Sequence, residues 1–228
     1  MPWYPKFMTT STVEDYVKCI YQEERRGGGN LVPTGQIAAN LKVTPGTVTA
    51  MAKNLADSGL VSYEPYSGVK LTPAGTQLAT DVLRRHRVVE LFLVEVMGMD
   101  WSEVHKDAEV LEHAVSDRLI DRMDEMLGRP TVDPHGDPIP TARGVIVEKD
   151  YPDLLACPIG KVLRIARVID QSAEFLRFLE KKGLRPGNQI EVMSRDEASD
   201  TILLRRPGAK AFQIGCRAAS KLLVEPRA

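Results

Sequence analysis

Three of the four histidines in this 228-residue chain lie among glutamates at helical spacing. One run places two imidazoles and two carboxylates at i, i+4, i+7 and i+8, positions that share one side of a helix. These residues are His105, Glu109, Glu112 and His113. His86 and Glu90 repeat the i, i+4 relation on the preceding predicted helix. Nitrogen and oxygen donors without thiolates favour manganese or iron(II) over a structural zinc site.

A charged, solvated helix face is the competing interpretation of these residues. Three arginines lie nearby in the sequence, and any single His–Glu pair is more commonly a salt bridge than a pair of ligands. The combined pattern favours a metal site, because most of the histidines fall within it. Spacing alone does not single out Asp15, which is most simply a surface aspartate, or His135, which is most simply a turn residue.

The first part of the chain has the element order of a winged helix-turn-helix. A capping box at residues 11–14 predicts the start of the first helix. Thr44 followed by Pro45 predicts the start of the third helix. Two short strands around a Pro/Gly turn then predict a hairpin. The predicted helices cover residues 11–26, 34–41 and 45–58, and the strands cover 60–64 and 69–71.

The third of these helices is the predicted recognition helix, because its start is rich in hydroxyl groups. Residues at that start are expected to face base edges in the major groove. They are Thr44, Gly46, Thr47 and Thr49. A second set is expected to contact phosphates, which positions the protein without reading sequence. That set is Thr34, Gln36 and Lys53.

The rest of the chain predicts an acidic helical region followed by a small β-barrel. Residues 76–150 contain 16 acidic and 9 basic residues, a net charge of −7. A predicted helix there is apolar on nearly all sides, which suits a dimer interface. The predicted helices cover residues 73–97, 101–116, 117–127 and 172–182, and the strands cover 162–168, 189–194, 201–206 and 211–215.

Composition excludes several classes of protein. The 30 basic and 31 acidic residues nearly cancel, so the chain has no overall basic field. No apolar run reaches the roughly 18 residues that span a bilayer. The three cysteines are scattered without CxxC spacing, which excludes a disulfide scaffold or thiolate zinc site. We therefore expect a cytoplasmic protein that does not bind membranes.

Four segments resemble motifs of the diphtheria-toxin-repressor family of metal-dependent transcriptional regulators, most closely its manganese-sensing branch. They are residues 13–16, 85–87, 109–113 and 133–140. The resemblance implies a mainly α fold with a small β part. It implies a winged helix-turn-helix domain over 1–75, a helical metal-binding and dimerisation domain over 76–140, a linker over 141–153, and an SH3-like β-barrel of the ferrous-transport accessory (FeoA) type over 154–228.

The resemblance also implies a primary metal site drawn from three helices. Its ligands would be Asp15, His86, Glu109, Glu112 and His113. Iron-sensing relatives have a methionine at the position of Asp15 and a cysteine at that of Glu109, so the two carboxylates here favour manganese. Short manganese regulators have a further glutamate where this chain has Lys18, which argues against a two-metal version of the site.

For a second metal site the resemblance leaves two alternatives, which share Glu90. The pattern of the longer manganese-sensing relatives gives Glu90, Asp133, His135 and Asp170. The iron-sensing pattern gives His86, Glu90 and His105 with Gln171 and Glu174. Given the resemblance, we prefer the interpretation of His135 as a metal ligand over that of a turn residue.

The predicted function is a homodimeric repressor of metal-uptake genes that binds palindromic operators when loaded with Mn²⁺ or Fe²⁺. The competing prediction is a metal-dependent hydrolase, since His/Glu clusters also activate water. The sequence contains no recognisable nucleophile and no phosphate-cradling loop, so we expect a DNA-binding protein and not an enzyme.

Overall fold

A computed structural model describes residues 10–226, which contain eight helices and seven strands within that range. In chain order the elements are α1 (Ser11–Arg26), α2 (Thr34–Leu41), α3 (Pro45–Asp57), β1 (Val61–Glu64), β2 (Gly68–Leu71), α4 (Pro73–Glu95), α5 (His105–Ala114), α6 (Asp117–Met126), β3 (Val162–Val168), α7 (Ala173–Lys182), β4 (Gln189–Asp196), β5 (Thr201–Arg205), β6 (Phe212–Gly215), α8 (Cys216–Ala219) and β7 (Leu222–Pro226). The mainly α fold with a small β part is therefore confirmed.

The chain forms two compact units, each built from discontinuous segments. The first unit comprises the described residues up to 86 together with 111–115 and 140–146. The second comprises 87–110, 116–139 and the described residues from 147 onward. Within the described residues, no helix is long and apolar enough to cross a membrane.

The first unit contains the predicted winged helix-turn-helix. Helices α1, α2 and α3 are followed by the antiparallel hairpin β1–β2, in which Val61 pairs with Leu71. Apolar side chains at helical spacing form its core, because each helix presents one apolar face inward. The core includes Val17, Ile20, Ile37, Val48 and Leu55.

The two helix starts predicted in this unit have different outcomes. Thr44 is the N-cap of α3, with its hydroxyl oxygen accepting from the Thr47 N–H at 3.2 Å, as predicted. The capping box at residues 11–14 is wrong. Thr10 is the N-cap of α1, and its hydroxyl oxygen accepts from the Val13 N–H at 3.4 Å. The Glu14 side chain is thus not a capping group.

Helix α5 begins later than predicted, at His105, because residues 101–104 form a turn. The Asp100 carboxylate accepts a hydrogen bond from the Ser102 N–H at 2.8 Å, which holds this turn. Trp101 is buried there and belongs to the core of the second unit. Because of this turn, α5 begins at His105, the first of the four candidate ligands spaced at i, i+4, i+7 and i+8.

Most of the second unit's core belongs to a five-stranded antiparallel sheet in the order β6-β5-β4-β3-β7. Strand β3 spans the predicted residues 162–168, whereas β7 was not predicted. It is only five residues long and is separated from the end of α8 by two residues, which leaves little sequence in which its alternation of buried and half-buried residues can be recognised. Gly183 ends α7 as predicted, with the left-handed φ of 64° that glycine adopts readily.

Candidate metal and DNA-binding sites

In the first unit, α1 and the end of α5 bring three potential metal ligands together. One donor atom from each of Asp15, Glu112 and His113 lies within 4.8 Å of the others. His113 Nε2 is 3.0 Å from Asp15 Oδ1 and 3.5 Å from Glu112 Oε1. An imidazole nitrogen and two carboxylate oxygens suit manganese or iron(II).

The tautomer of His113 is fixed by Glu14. His113 Nδ1 lies 2.6 Å from Glu14 Oε2, and an ionised carboxylate only accepts, so Nδ1–H donates. Arg85 in turn lies 3.2 Å from Glu14 Oε1. His113 Nε2 is directed at the Asp15 carboxylate, 3.0 Å from its Oδ1. A ligand histidine held by a carboxylate through its other nitrogen is usual in metal sites.

The Glu112 carboxylate is completely buried and contacts a cation and an imidazole. Its Oε1 is 2.5 Å from Lys18 Nζ, and its Oε2 is 2.5 Å from His86 Nδ1. Glu112 was expected on the polar side of its helix. Because it is buried instead, these two partners must stabilise its charge. His86 thus contacts Glu112, which belongs to the cluster of Asp15, Glu112 and His113.

The other two candidate ligands predicted on this helix, His105 and Glu109, lie in the second unit. His105 Nδ1 is 3.0 Å from Glu90 Oε1, and His105 Nε2 is 3.6 Å from Glu109 Oε1. The side chains of His105 and Glu109 are 53% and 38% exposed, so both are accessible to ions from solvent.

The second unit also contains a buried cluster of three potential ligands, one from α4 and two from the loop after α6. One donor atom from each of Glu90, Asp133 and His135 lies within 4.8 Å of the others. His135 Nε2 donates to the Trp101 carbonyl oxygen at 3.1 Å, since a carbonyl only accepts. Its Nδ1 is buried without a hydrogen-bond partner and lies 3.7 Å from Glu90 Oε2. That arrangement fits a metal ligand.

The loop that carries Asp133 and His135 is held by its own hydrogen bonds. Asp133 Oδ1 accepts from the N–H groups of His135 and Asp137 at 2.8 and 2.9 Å. Burial raises the pKa of Asp133 well above its usual range, and the carboxylates of Asp137 and Glu90 raise it further, while Arg87 opposes the shift. A buried group of like charges is stabilised by a cation.

The other second-site candidates have different partners. Asp170 Oδ2 pairs with Lys221 Nζ at 2.5 Å, and Gln171 donates to Asp137 Oδ2 at 2.7 Å. Glu174 is exposed in the first turn of α7. Among the described residues, these three are absent from the clusters of potential metal ligands.

Most of the predicted DNA contacts are accessible on α2 and α3. Exposed members of the set are Gln36, Thr44, Gly46, Thr47 and Lys53, and half-buried members are Thr34 and Thr49. The Gln36 amide donates to Glu23, and the Thr49 hydroxyl donates to the Pro45 carbonyl at 3.0 Å. Sequence reasoning did not single out Tyr66, which is fully exposed in the Pro-Tyr-Ser-Gly turn between β1 and β2.

Sequence reasoning also missed the groups that orient the ligands. Glu14 was assigned to a helix cap, although it directly precedes Asp15 and belongs to the same sequence motif. The Trp101 carbonyl has no sequence signal, because any residue supplies a main-chain oxygen.

Three family models match successive parts of the chain. They are an iron dependent repressor N-terminal DNA binding domain over residues 8–69, an iron dependent repressor metal binding and dimerisation domain over 72–141, and a FeoA domain over 153–226.

Similar proteins cover nearly the whole chain. The iron-dependent repressor IdeR of Mycobacterium leprae is 35% identical over 94% of this chain and 96% of its own length. The diphtheria toxin repressor of Corynebacterium efficiens is 30% identical over 80% of this chain and 83% of its own. A solved manganese-dependent transcriptional repressor in complex with manganese is 35% identical, with a TM-score of 0.79 over 94% of this chain and all of the other.

Proposed function

Because this chain belongs to the diphtheria-toxin-repressor family of metal-dependent transcriptional regulators, we propose that it represses metal-uptake genes when loaded with Mn²⁺ or Fe²⁺. The family consists of transcriptional repressors and not of enzymes, which disfavours the hydrolase alternative. The finer proposal is a cytoplasmic homodimer that binds palindromic operators.

The observation that carries this proposal is the approach of Asp15 Oδ1 to His113 Nε2 at 3.0 Å. Asp15 lies on α1 of the DNA-binding domain, and His113 lies near the end of α5. A group of donors shared by these helices allows metal binding to act on the DNA-binding domain. The proposed primary ligands are Asp15, His86, Glu109, Glu112 and His113.

The second proposed site is Glu90 with Asp133 and His135. The buried Nδ1 of His135, which has no hydrogen-bond partner, supports this set over the alternative of His86, Glu90 and His105 with Gln171 and Glu174. The Gln171 amide is engaged by Asp137. If Asp170 also becomes a ligand, it must exchange its pairing with Lys221.

The proposed mechanism is a clamp. When bound, a divalent ion supplies the positive charge that offsets repulsion between the Asp15 and Glu112 carboxylates. Asp15 then fixes α1 against the end of α5, while Glu14 holds the His113 ring in the required tautomer. A coupling of typically 1–3 kcal/mol changes operator affinity about 5–150-fold. The carboxylate-rich donor set favours Mn²⁺.

Dimerisation and the DNA contacts complete the proposal. Several apolar side chains on and beside the helices of the second unit are exposed and suit an interface with a second copy. They are Val96, Met97, Val110, Leu119 and Met126. In a two-fold dimer, two copies of α3 would read half-sites about one helical turn apart.

Selection of DNA from a random duplex library in the presence of Mn²⁺ tests the function without a known operator. We expect a palindromic sequence whose binding, titrated anaerobically, responds to Mn²⁺ and Fe²⁺ and is lost with a chelator. Binding that is equal with and without metal, or selection of no duplex, would contradict the proposal. Metal-dependent hydrolysis of the selected DNA would favour the hydrolase instead.

A further inference from the structure

A lysine ammonium lies against the first cluster of candidate ligands. Lys18 follows Asp15 by three residues on α1, so the two side chains share one face of the helix. Lys18 Nζ is 2.5 Å from Glu112 Oε1, and the two side chains are 9% and 0% exposed. A lysine is almost never buried this deeply unless it is paired, so the pair is a built part of the site.

The Glu112 oxygen that Lys18 contacts is also the one directed at the other candidate ligands. Glu112 Oε1 is 3.5 Å from His113 Nε2, the nitrogen that lies 3.0 Å from Asp15 Oδ1. The second oxygen, Oε2, accepts from His86 Nδ1 at 2.5 Å. A cation held by Asp15, Glu112 and His113 must therefore share Oε1 with the ammonium or displace it.

We propose that Lys18 is a tethered competitor cation that sets the metal affinity of this site. Its charge stabilises the buried Glu112 carboxylate, and the same charge opposes the entry of a divalent ion. The site then fills only above a higher metal concentration than its ligands alone would require. This inference rests on the proposed function, since it takes Asp15, Glu112 and His113 as metal ligands.

The expected size of the effect follows from Coulomb's law. A single and a double charge about 5 Å apart repel each other enough to change an affinity at least about tenfold, even in a water-like medium. Burial makes the effect larger. Removal of the Lys18 charge should therefore tighten Mn²⁺ binding by at least about tenfold.

Calorimetric titration of the full chain with Mn²⁺ tests the proposal. The component of the isotherm that is lost in His113→Ala reports this site. We expect Lys18→Met and Lys18→Gln to bind Mn²⁺ at least about tenfold more tightly there, and Lys18→Arg, which keeps the charge, to resemble the unmodified chain. Lys181→Met controls for the loss of an exposed lysine charge.

Thermal unfolding gives a second readout, because Lys18→Met leaves the Glu112 carboxylate buried without its cation. We expect a lower Tm without added metal and a larger Mn²⁺-induced rise than in the unmodified chain. Lys18→Gln retains a hydrogen-bond donor if Lys18→Met fails to fold. Unchanged or weaker Mn²⁺ binding in the folded variants would overturn the inference. Equal binding by His113→Ala and the unmodified chain would instead overturn the proposed site.

Discussion

At both candidate metal sites, one nitrogen of a histidine is engaged by a neighbouring group and the other is directed at carboxylates. Glu14 engages His113 and the Trp101 carbonyl engages His135. Contacts within the protein thus orient each ring before any ion binds, so metal binding does not have to provide that free energy. The chemistry of both sites therefore depends on these supporting groups as well as on the ligands.

Replacing His113 by Ala should abolish metal-stimulated DNA binding, because the Asp15 and Glu112 oxygens converge on its Nε2. The stimulation of about 5–150-fold expected for the unmodified chain should fall to none, as measured by fluorescence anisotropy with and without Mn²⁺. Circular dichroism checks the fold. The exposed residue Glu197 provides the control variant Glu197→Ala, and retained stimulation in His113→Ala would remove His113 from the site.

Replacing Glu109 by Cys should shift metal preference away from manganese, because a soft thiolate replaces a hard carboxylate. The half-exposed side chain tolerates the change. The measurement is the ratio of half-activating Mn²⁺ and Fe²⁺ concentrations for DNA binding, taken anaerobically. Glu103→Cys introduces the same thiol at an exposed position. A ratio equal to that of the unmodified chain would show that Glu109 does not bind the metal.

The spacing of residues predicted some candidate ligands but not their surroundings. Helical periodicity placed Glu112 and His113 on one side of α5, and the structure brings both to Asp15. The depth at which Glu112 is buried could not be predicted, since it depends on Lys18 from a helix 94 residues earlier in the chain. Long-range partners leave no periodic signal in a single sequence.

At the scale of elements, local chemistry determined which boundaries were predictable. Gly183 and Thr44 mark helix ends whose signals lie within a few residues, and both predictions are confirmed. The N-cap of α1 was misplaced because residues 10, 11 and 12 all carry hydroxyl groups and each can cap a helix. Strand β7 was missed because its five residues lie close behind α8 and show little alternation of polar and apolar side chains.

The loop over residues 133–137 depends on one glycine. Gly136 has a φ of +87°, and an added Cβ would lie 2.1 Å from the Ala166 carbonyl oxygen. The Val168 N–H donates to the His135 carbonyl at 2.8 Å, which fixes the loop against β3. Any side chain at residue 136 must therefore displace the loop that carries Asp133 and His135.

Gly136→Ala should lower the free energy of unfolding more than Gly160→Ala does. Gly160 has a similar φ of +78° but no neighbour within 4 Å of an added Cβ. The backbone strain of roughly 1–2 kcal/mol is common to both variants, so the excess measures the clash. Urea denaturation gives the free energies of unfolding. An equal decrease in both variants would show that the loop can move to accommodate the added Cβ at little cost. Mn²⁺ binding at the second site should weaken in Gly136→Ala alone.

At the scale of the whole molecule, the order of domains and the class of regulator were predicted from the sequence, because four segments between residues 13 and 140 resemble motifs of the family. The family models and similar repressors confirm both. The physiological metal and the operator follow from small differences in affinity, which no spacing encodes. The net charge of −7 over residues 76–150 favours the binding of cations in this part of the chain.

The central claim is that Asp15 links metal binding to DNA binding. Asp15 is the only proposed ligand on α1, and its side chain is 40% exposed, so Asp15→Ala should leave the core of the winged helix intact. The remaining ligands should still bind Mn²⁺, although more weakly. Asp107→Ala, which removes an exposed carboxylate from α5, is the matched control.

The most direct test measures Mn²⁺ binding and operator affinity together in Asp15→Ala. Calorimetry should detect Mn²⁺ binding, and anisotropy at saturating Mn²⁺ should show little gain in operator affinity, whereas Asp107→Ala should show the full gain. Full operator affinity of Asp15→Ala at saturating Mn²⁺ would contradict the account, because the metal would then act on DNA binding through another contact.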